Sequence, residues 1–430
     1  MYKNLSYQSG VALIAIMVFL VLIALSVLLY RLNQYDFSLQ RQLRTSESLA
    51  QAKDALLGYG ASYYDKYQSY GFLPCPDVDN HSAYPEGAAH GNCDSKNLPS
   101  LGRLPWRTLG LPPLRDGHGE CLWYAVSGRY KNATTATARN TMLNEKQKGF
   151  FTVYSRTGTS TAQALTAVDD VVAVIIAANA RHSDQDRSPE STGVEQCGGN
   201  YTAEAYLDED SQSGIKNSDL IVAVDATNDF IISNSNDGIL NDQVLYITRE
   251  ELFRLIYKRT DFADNIRLLS QCISNYVTKN PLFLNDGDFS NDDKRFPWAA
   301  SGALTTEDNA AYDDQSNTLI GRLPHSVLHS NVHTNNPENN LLVNCVHPEA
   351  FTLWQHWKNT LTYEISSAYR PNNHTIPTPI CDNTDGNINT NCIEINGGYY
   401  AATITMTRDL PPFSSIRFCI DETLQVNQCT

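Results

Sequence analysis

The stretch SGVALIAIMVFLVLIALSVLLYR, residues 9–31, decides how the rest of the chain is organised. Residues 11–30 form a run of twenty in which only Ser26 is not apolar. At about 1.5 Å per residue this helix measures about 30 Å, the thickness of the hydrocarbon core of a bilayer. The run is longer than the core of a cleavable secretion signal, and no A-x-A cleavage pattern follows it. We therefore expect the helix to be retained in the mature protein.

The helix is expected to continue beyond the apolar run into water. Between residues 32 and 59 there is no proline, and the only glycine is Gly58. Apolar residues recur there at helical spacing, at Leu39, Leu43, Leu49, Ala52 and Leu56. The sequence thus predicts one helix over residues 11–57, about 70 Å long, with an apolar half followed by an amphipathic half.

The leader MYKNLSYQSG and the helix behind it carry a resemblance to a known family. A short polar leader with one lysine, ending in glycine before an apolar helix, resembles the class III signal of type IV pilins and pseudopilins. The resemblance covers roughly the first 60 residues. It implies that a prepilin peptidase cuts after Gly10 and that the new amino terminus, Val11, is methylated. A plain signal anchor with a chance glycine is the alternative.

The chain departs from the family pattern at one position. Most pilins carry glutamate at the fifth mature position, where this chain has Ala15. That carboxylate neutralises the terminal ammonium of a neighbouring subunit inside an apolar filament core, where an unpaired charge is costly. The K-type minor pseudopilin of type II secretion and the X-type minor pilins show a similar absence, and the former sits at a filament tip. By this resemblance Ala15 favours a minor, tip-proximal subunit, or a subunit that never assembles.

Composition restricts the partners and the size of the head. The chain has 430 residues, a formal net charge of −15 and a pI near 5.0. Because phosphate binding needs a basic face, this balance argues against nucleic acid as a partner. The length that follows the helix favours two lobes.

The cysteines indicate an oxidising compartment. Ten cysteines lie beyond the apolar helix, and none has CxxC spacing. An even set downstream of an export signal predicts disulfide bonds in a space such as a periplasm. The full connectivity is not readable from sequence, and the best candidates are the sequence-close pairs Cys381 with Cys392 and Cys419 with Cys429.

An internal repeat divides the chain into two similar parts. Four anchors recur in the same order: LLGYGASYY with LLSQCISNY, FLPCP with RFPWA, GRLP at residues 102–105 and 321–324, and LWYAVSGRY with LTYEISSAY. We interpret them as two copies of one unit in which a helix, two proline turns and a strand follow each other. Two similar turns inside a single lobe are the alternative.

The predicted fold is therefore α+β, with a long N-terminal transmembrane and amphipathic helix and two repeated pilin-like lobes, each a helix on an antiparallel sheet. The predicted divisions are the leader (1–10), the long helix (11–57, with 11–30 in the membrane or filament core), the first lobe (58–247) and the second lobe (248–430). Strands are expected at 149–155, 171–178, 220–224 and 243–248. A capping box of Thr248 and Glu251 is expected to start the supporting helix of the second lobe.

Three groups of residues invite a ligand or metal interpretation. In NDGDFSNDD, oxygen-bearing side chains occupy alternate positions at Asp286, Asp288, Ser290 and Asp292. This spacing suits calcium, although the EF-hand pattern is not met and a solvated turn is the alternative. His325, His329 and His333 are four residues apart, which would form a stripe on a helix. In the GRLP motifs we expect the glycine to supply a turn, the leucine to fill the core and Arg103 and Arg322 to cap carbonyls or pair with an acid.

Three functions remain in competition at this point. Because the motifs G-x-S-x-G, H-E-x-x-H, the Walker loop and G-x-G-x-x-G are absent, we predict that the chain is not an enzyme. The preferred function is a minor pilin-like subunit that starts or caps a type IV pilus or a type II secretion-like filament. Its expected partners are other pilin subunits, the prepilin peptidase and, before assembly, a bacterial inner membrane. A tip adhesin with its head outside the cell and a membrane-tethered periplasmic enzyme are the alternatives.

Overall fold

The structure is a computed structural model in which the described residues form four α-helices and several mainly antiparallel sheets, so the predicted α+β class is confirmed. It describes residues 9–79, 84–91, 93, 97–131, 142–157, 160–189, 196–233, 240–279, 295–329, 341–342, 345, 347–371, 381, 391–410 and 414–429. Within the first helix, the description leaves out the side chains of residues 9–12 and 29–36. The helices are α1 (Ser9–Tyr67), α2 (Arg249–Ile256), α3 (Thr260–Lys279) and α4 (Pro348–Trp357).

Helix α1 is a single helix of 59 residues that ends ten residues later than the sequence predicts. The sequence predicts that the helix ends just before Gly58, because glycine destabilises a helix. Packing overrides this preference at Gly60, where a Cβ atom would lie 2.9 Å from the Cδ1 atom of Leu252. Among the residues described, no helix is both long enough and apolar enough to cross a membrane.

The capping box predicted at the start of the second part is confirmed. The Thr248 hydroxyl accepts a hydrogen bond from the backbone N–H of Glu251 at 3.2 Å, and the Glu251 carboxylate accepts one from the N–H of Thr248 at 3.0 Å. The helix it starts is short, however. Helix α2 stops at Ile256, and a separate helix, α3, begins at Thr260 and carries the repeated LLSQCISNY sequence. The supporting helix of the second part is therefore α3.

The first sheet has seven strands: β1 (Ser100–Arg103), β2 (Trp123–Val126), β3 (Phe151–Arg156), β4 (Gln163–Ala164), β5 (Val171–Ala177), β8 (Asn228–Ser233) and β9 (Gln243–Thr248). Their order is β1-β2-β5-β3-β4, with β9 paired to β5 and β8 paired to β3. Two further strands, β6 (Glu209–Asp210) and β7 (Ile215–Lys216), form a separate pair. All pairs within the first sheet are antiparallel except β3 with β8.

Three of the four strands expected in this part are present, but the strand predicted at 220–224 is wrong. That segment is a bend and turn before β8, and Ile221, Val222 and Val224 are exposed by 61%, 55% and 61%. The apolar run suggested a strand, yet no neighbouring strand pairs with it among the described residues. An apolar run without a partner backbone does not form a strand.

The second sheet has five strands, all antiparallel, in the order β10-β11-β14-β15-β16. Its strands are β10 (Ile320–Arg322), β11 (Leu361–Ile365), β14 (Ala402–Thr407), β15 (Ser415–Ile420) and β16 (Val426–Gln428), and β12 (Ile393–Ile395) and β13 (Gly398–Tyr400) form a hairpin beside it.

The repeated sequences occupy equivalent places in the two sheets. Gly102 on β1 pairs with Tyr124 on β2, and Gly321 on β10 pairs with Tyr363 on β11, which is the same register of the same two motifs. The next strand also corresponds, because β2 pairs antiparallel with β5 and β11 pairs antiparallel with β14. The sequence repeat therefore coincides with a repeat of backbone pairing.

The proline turns are attached to the sheets by the same hydrogen bond in both parts. The Tyr124 hydroxyl donates to the carbonyl oxygen of Pro74 at 3.2 Å, and the Tyr363 hydroxyl donates to that of Pro297 at 3.1 Å. Both tyrosines are fully buried, and burial raises the pKa of each hydroxyl well above its usual value. A buried hydroxyl needs such a partner, which explains why the tyrosine recurs with the proline.

The glycines of the two GRLP motifs are required by a close approach of backbone. A Cβ atom on Gly102 would lie 2.5 Å from the carbonyl oxygen of Asp77, and one on Gly321 would lie 2.0 Å from that of Ala300. We expect Gly102→Ala and Gly321→Ala each to lower the free energy of unfolding by about 2 kcal/mol or more, measured by thermal unfolding. Gly58→Ala is the control, because nothing lies within 4 Å of its Cβ position, and it should raise stability by up to about 1 kcal/mol. Unchanged stability in either GRLP variant would contradict this register.

The two sheets share one hydrophobic core. It contains Leu56 of α1, Ile175 of β5, Phe262 of α3, Trp357 of α4 and Ile404 of β14. The predicted boundary at residue 248 falls at the last residue of β9, but the buried apolar cluster is continuous across it. The two parts of the head therefore support each other's packing.

All ten cysteines form disulfide bonds. The pairs are Cys75–Cys93, Cys121–Cys197, Cys272–Cys345, Cys381–Cys392 and Cys419–Cys429. The two pairs predicted from sequence proximity are confirmed. The chain-entropy model assigns the greatest stabilisation to the longest loops, closed by Cys121–Cys197 with a separation of 76 and Cys272–Cys345 with a separation of 73.

Candidate assembly surface

The first half of α1 presents a continuous apolar surface that nothing in the described part of the chain covers. Thirteen large apolar side chains between residues 13 and 28 are exposed, from 46% for Ile23 to 67% for Phe19. No residue in this range is charged. The Ser26 hydroxyl donates to the carbonyl oxygen of Leu22 one turn earlier, so the single polar side chain is satisfied inside the helix. The helix can therefore enter an apolar environment without leaving a polar group unpaired.

An exposed surface of this size requires an apolar partner. Covering one large aliphatic or aromatic side chain contributes about 1.5 to 3 kcal/mol, so covering thirteen contributes on the order of 20 kcal/mol. Monomeric soluble proteins rarely expose a contiguous apolar patch this large. The surface is therefore suited to an apolar environment.

The second half of α1 is fixed to the head by its own apolar face. Leu49, Ala52 and Leu56 are buried at helical spacing in the shared core. On the polar side, the Lys53 ammonium forms an ion pair with Glu251 on α2 at 2.6 Å. The two halves of one helix thus have opposite roles, because one is packed against the head and the other is not.

Helix α1 leaves the head at Arg41. A Cβ atom on Gly117 would lie 2.2 Å from the carbonyl oxygen of Arg41, so the glycine permits a close contact of the two backbones. One turn later, the Thr45 hydroxyl accepts a hydrogen bond from the Gly117 N–H at 2.9 Å, and the Ser48 hydroxyl donates to the carbonyl oxygen of Arg115 at 2.7 Å. From Arg41 back to residue 13 the helix extends about 42 Å.

The residues predicted to control processing lie in the first turns of this helix. Gly10 and Val11 are helical in backbone, and Ala15 is exposed one turn further along. The leader, residues 1–8, lies outside the described residues. The disulfide cysteines all lie in the head, so the structure does not bring the predicted site residues together in one place.

The structure gives no support to a metal site in the residues it describes. The predicted calcium loop, with Asp286, Asp288, Ser290 and Asp292, lies outside the described residues, because residues 280–294 are not described. His333 also lies outside the described residues. Elsewhere in the described chain, no group of three or more His, Cys, Asp or Glu side chains is placed to hold a metal ion.

The two histidines that are described do not form a helical stripe, because residues 325–329 are not helical. The ring of His325 stacks on Trp354 at 5.3 Å, and burial lowers its pKa. His329 lies beside the buried Asp314, with 3.4 Å between Nδ1 and Oδ1. The spacing of four in the sequence therefore does not become a shared site for these two residues.

Arg103 has a structural role. It is 1% exposed, and its Nη2 group donates to the carbonyl oxygen of Asn200 at 2.7 Å and to the Tyr206 hydroxyl at 3.1 Å. The predicted capping of carbonyls is confirmed for this arginine, and Leu104 beside it is buried in the core as expected. The predicted turn at Gly102 is wrong, because that glycine lies within strand β1. It is needed there for close backbone contact and not for a turn.

Sequence reasoning did not single out the row of tyrosines near the end of α1. Tyr59, Tyr63 and Tyr67 are four residues apart and line a cleft of about 430 Å³ at the end of the helix farthest from Ala15. The sequence does show the i, i+4 spacing of these aromatic residues. They lie beyond residue 57, however, where the helix is predicted to end.

Comparison of the chain with protein-family models, with characterised proteins and with solved structures gives no match.

Proposed function

We propose that this chain is a minor pilin-like subunit, held by its N-terminal helix in a bacterial inner membrane with its head in the periplasm, and then built into the tip of a type IV pilus or type II secretion-like filament. The single observation that carries the proposal is the asymmetry of α1. One half packs into the head through Leu49, Ala52 and Leu56, and the other extends with an uncharged apolar surface that needs apolar partners.

The partners of the proposed subunit follow from this asymmetry. A prepilin peptidase removes residues 1–10, and the apolar half of α1 leaves the membrane to pack among the helices of other subunits. Such a transfer is feasible because hydrocarbon and a bundle of apolar helices satisfy the same side chains. The five disulfide bonds support a head that matures in an oxidising space.

Two features support the tip as the position of the subunit. Ala15 supplies no carboxylate for the terminal ammonium of a subunit above it, so contact on that side is weak. The head also contains two units with equivalent strand register, which we propose are two copies of a pilin-like lobe. A doubled head would collide with its neighbours in a repeated lattice, but it is unhindered at an end, where it starts or caps the filament.

Shearing of filaments from cells tests the proposal. Quantitative mass spectrometry of washed filaments should find the chain at about one copy per filament, far below the major subunit. An inner-membrane protein of similar abundance serves as the control for contamination. If the chain remains entirely with the membrane fraction while filaments are present, the membrane-tethered alternative is favoured and the proposal fails.

A further inference from the structure

The cleft at the end of α1 is built from aromatic side chains on two walls. The first wall is the last turns of α1, where the rings of Tyr63 and Tyr67 stack at 4.5 Å and Tyr59 lies 5.9 Å from Tyr63. The second wall is the segment 84–91, where the rings of Tyr84 and His90 are 4.6 Å apart. The rings of Tyr59, Tyr67, Tyr84 and His90 are half-buried, so each is supported from behind and accessible from the cleft.

The second wall is held in place by hydrogen bonds. The Gly87 N–H donates to the Asp77 carboxylate at 2.7 Å, and the Ala89 N–H donates to the Thr108 hydroxyl at 2.7 Å. The disulfide Cys75–Cys93 closes the loop that contains this wall. Because both walls are fixed before a ligand arrives, binding here would lose little conformational entropy.

The polar groups of the cleft define the chemistry that it accepts. Among the described residues, its lining includes Ser62, Thr108, four tyrosines and Lys66, but no aspartate or glutamate. The nearest carboxylate among the described residues that an ion pair records is that of Asp79, which lies 4.0 Å from the His90 ring. In the part of the chain that the structure describes, Ala89 is the only aliphatic side chain in the lining, so the apolar part of the cleft is aromatic.

We propose that this cleft binds a pyranose sugar of a surface glycan. The C–H groups on the face of a pyranose ring carry partial positive charge and suit the electron-rich face of Tyr59. Tyr67 stacks on Tyr63, and the Lys66 ammonium lies 5.0 Å from the centroid of its ring, so Tyr67 supports the wall and holds Lys66 beside the cleft. The hydroxyl groups around its edge need donors and acceptors, which Ser62, Tyr84 and Lys66 supply. A volume of about 430 Å³ lies within the range of small-ligand sites.

The position of the cleft suits contact with a surface outside the cell. It lies about 46 Å along α1 from the end of the exposed apolar run, on the far side of the helix exit at Arg41. A ligand in the cleft therefore does not compete with the packing of the apolar half. The inference concerns the purified chain alone and does not depend on whether the chain enters filaments.

The test is binding of the full chain to an array of pyranose oligosaccharides, with the protein kept in a zwitterionic detergent that contains no sugar. We expect binding to at least one glycan, with an affinity at least about tenfold lower for the double variant Tyr59→Ala/Tyr67→Ala. Tyr67→Phe keeps the ring and should retain most of the affinity. Tyr400→Ala is the matched control, because Tyr400 is also half-buried but lies on β13, away from the cleft.

Saturation-transfer NMR on the unmodified chain keeps the test decisive if the double variant does not fold. Magnetisation should pass from the protein to the ring protons of the bound sugar, and Lys66→Ala, at an exposed position, should weaken binding without unfolding the chain. Absence of any glycan binding, equal binding by the double variant in its folded form, or transfer only to an apolar peptide probe would overturn the proposal.

Discussion

A chain with Gly10→Ala is expected to keep its leader, so that its intact mass is greater than that of the mature protein by the whole of residues 1–10. The resemblance to class III signals implies a cut after a residue without a side chain, so we expect a methyl group at residue 10 to hinder cleavage. The retained leader carries Lys3 and a polar segment to the end of an apolar helix. Because charged and polar groups are costly in an apolar core, the chain should also be absent from filaments.

Intact mass spectrometry of the membrane-extracted protein measures this result. Gly58→Ala is the matched control, since it makes the same change on the same helix where nothing lies within 4 Å of the new atom, and it should be processed normally. The unmodified protein should begin at a methylated Val11. If Gly10→Ala gives the same mature mass as the unmodified protein, the pilin interpretation fails.

Replacing Ala15 with glutamate is expected to reduce incorporation into filaments at least about tenfold. In a subunit with a neighbour above it, the new carboxylate would meet a terminal ammonium and strengthen assembly. At a tip no neighbour supplies that ammonium, so the carboxylate remains unpaired among apolar side chains, at a cost of several kcal/mol. The exposed side chain of residue 15 has no role within the described part of the head, so folding should be unaffected.

Immunoblots of sheared filaments measure the incorporated amount, with Ala15→Val as the apolar control that should assemble normally. Circular dichroism on the extracted protein shows whether the head of each variant is folded. Increased incorporation of Ala15→Glu would mean that a neighbour does lie above the subunit, and the tip assignment would be wrong.

Local chemistry explains the parts of the fold that were predictable. The capping box is formed by Thr248 and Glu251, which are three residues apart. The disulfide bond between Cys419 and Cys429 joins residues that are only ten apart in sequence. The repeat of the GRLP motif could be recognised in the sequence because a close backbone contact requires glycine at both Gly102 and Gly321. Each of these features is determined by neighbours in sequence or by a motif that recurs.

The features that were missed depend on contacts between distant segments. Helix α1 continues through Gly60 because Leu252, almost two hundred residues away in sequence, packs against it. The loops closed by Cys121 and Cys272 span more than seventy residues, and many alternative pairings fit the same spacing. The parallel pairing of β3 with β8 likewise requires a long connection that no local pattern specifies.

The aromatic cleft was missed for a related reason. Its first wall is a row of tyrosines on α1, but its second wall comes from residues 84–91, which are brought opposite by the proline turn and the Cys75–Cys93 bond. Neither wall alone distinguishes a binding site from ordinary aromatic packing in a core. The exposed apolar half of α1 was predictable because it requires only composition and helical geometry.

Gold labelling of the head on sheared, unfixed filaments tests the central claim most directly. An antibody raised against the purified chain, with a secondary gold conjugate, should mark one end of each labelled filament, and the end that emerges first from the cell. Filaments from cells that lack the chain provide the background. Label at one end only is the result that we predict, and label distributed along the shaft would contradict the assignment of this subunit to the tip.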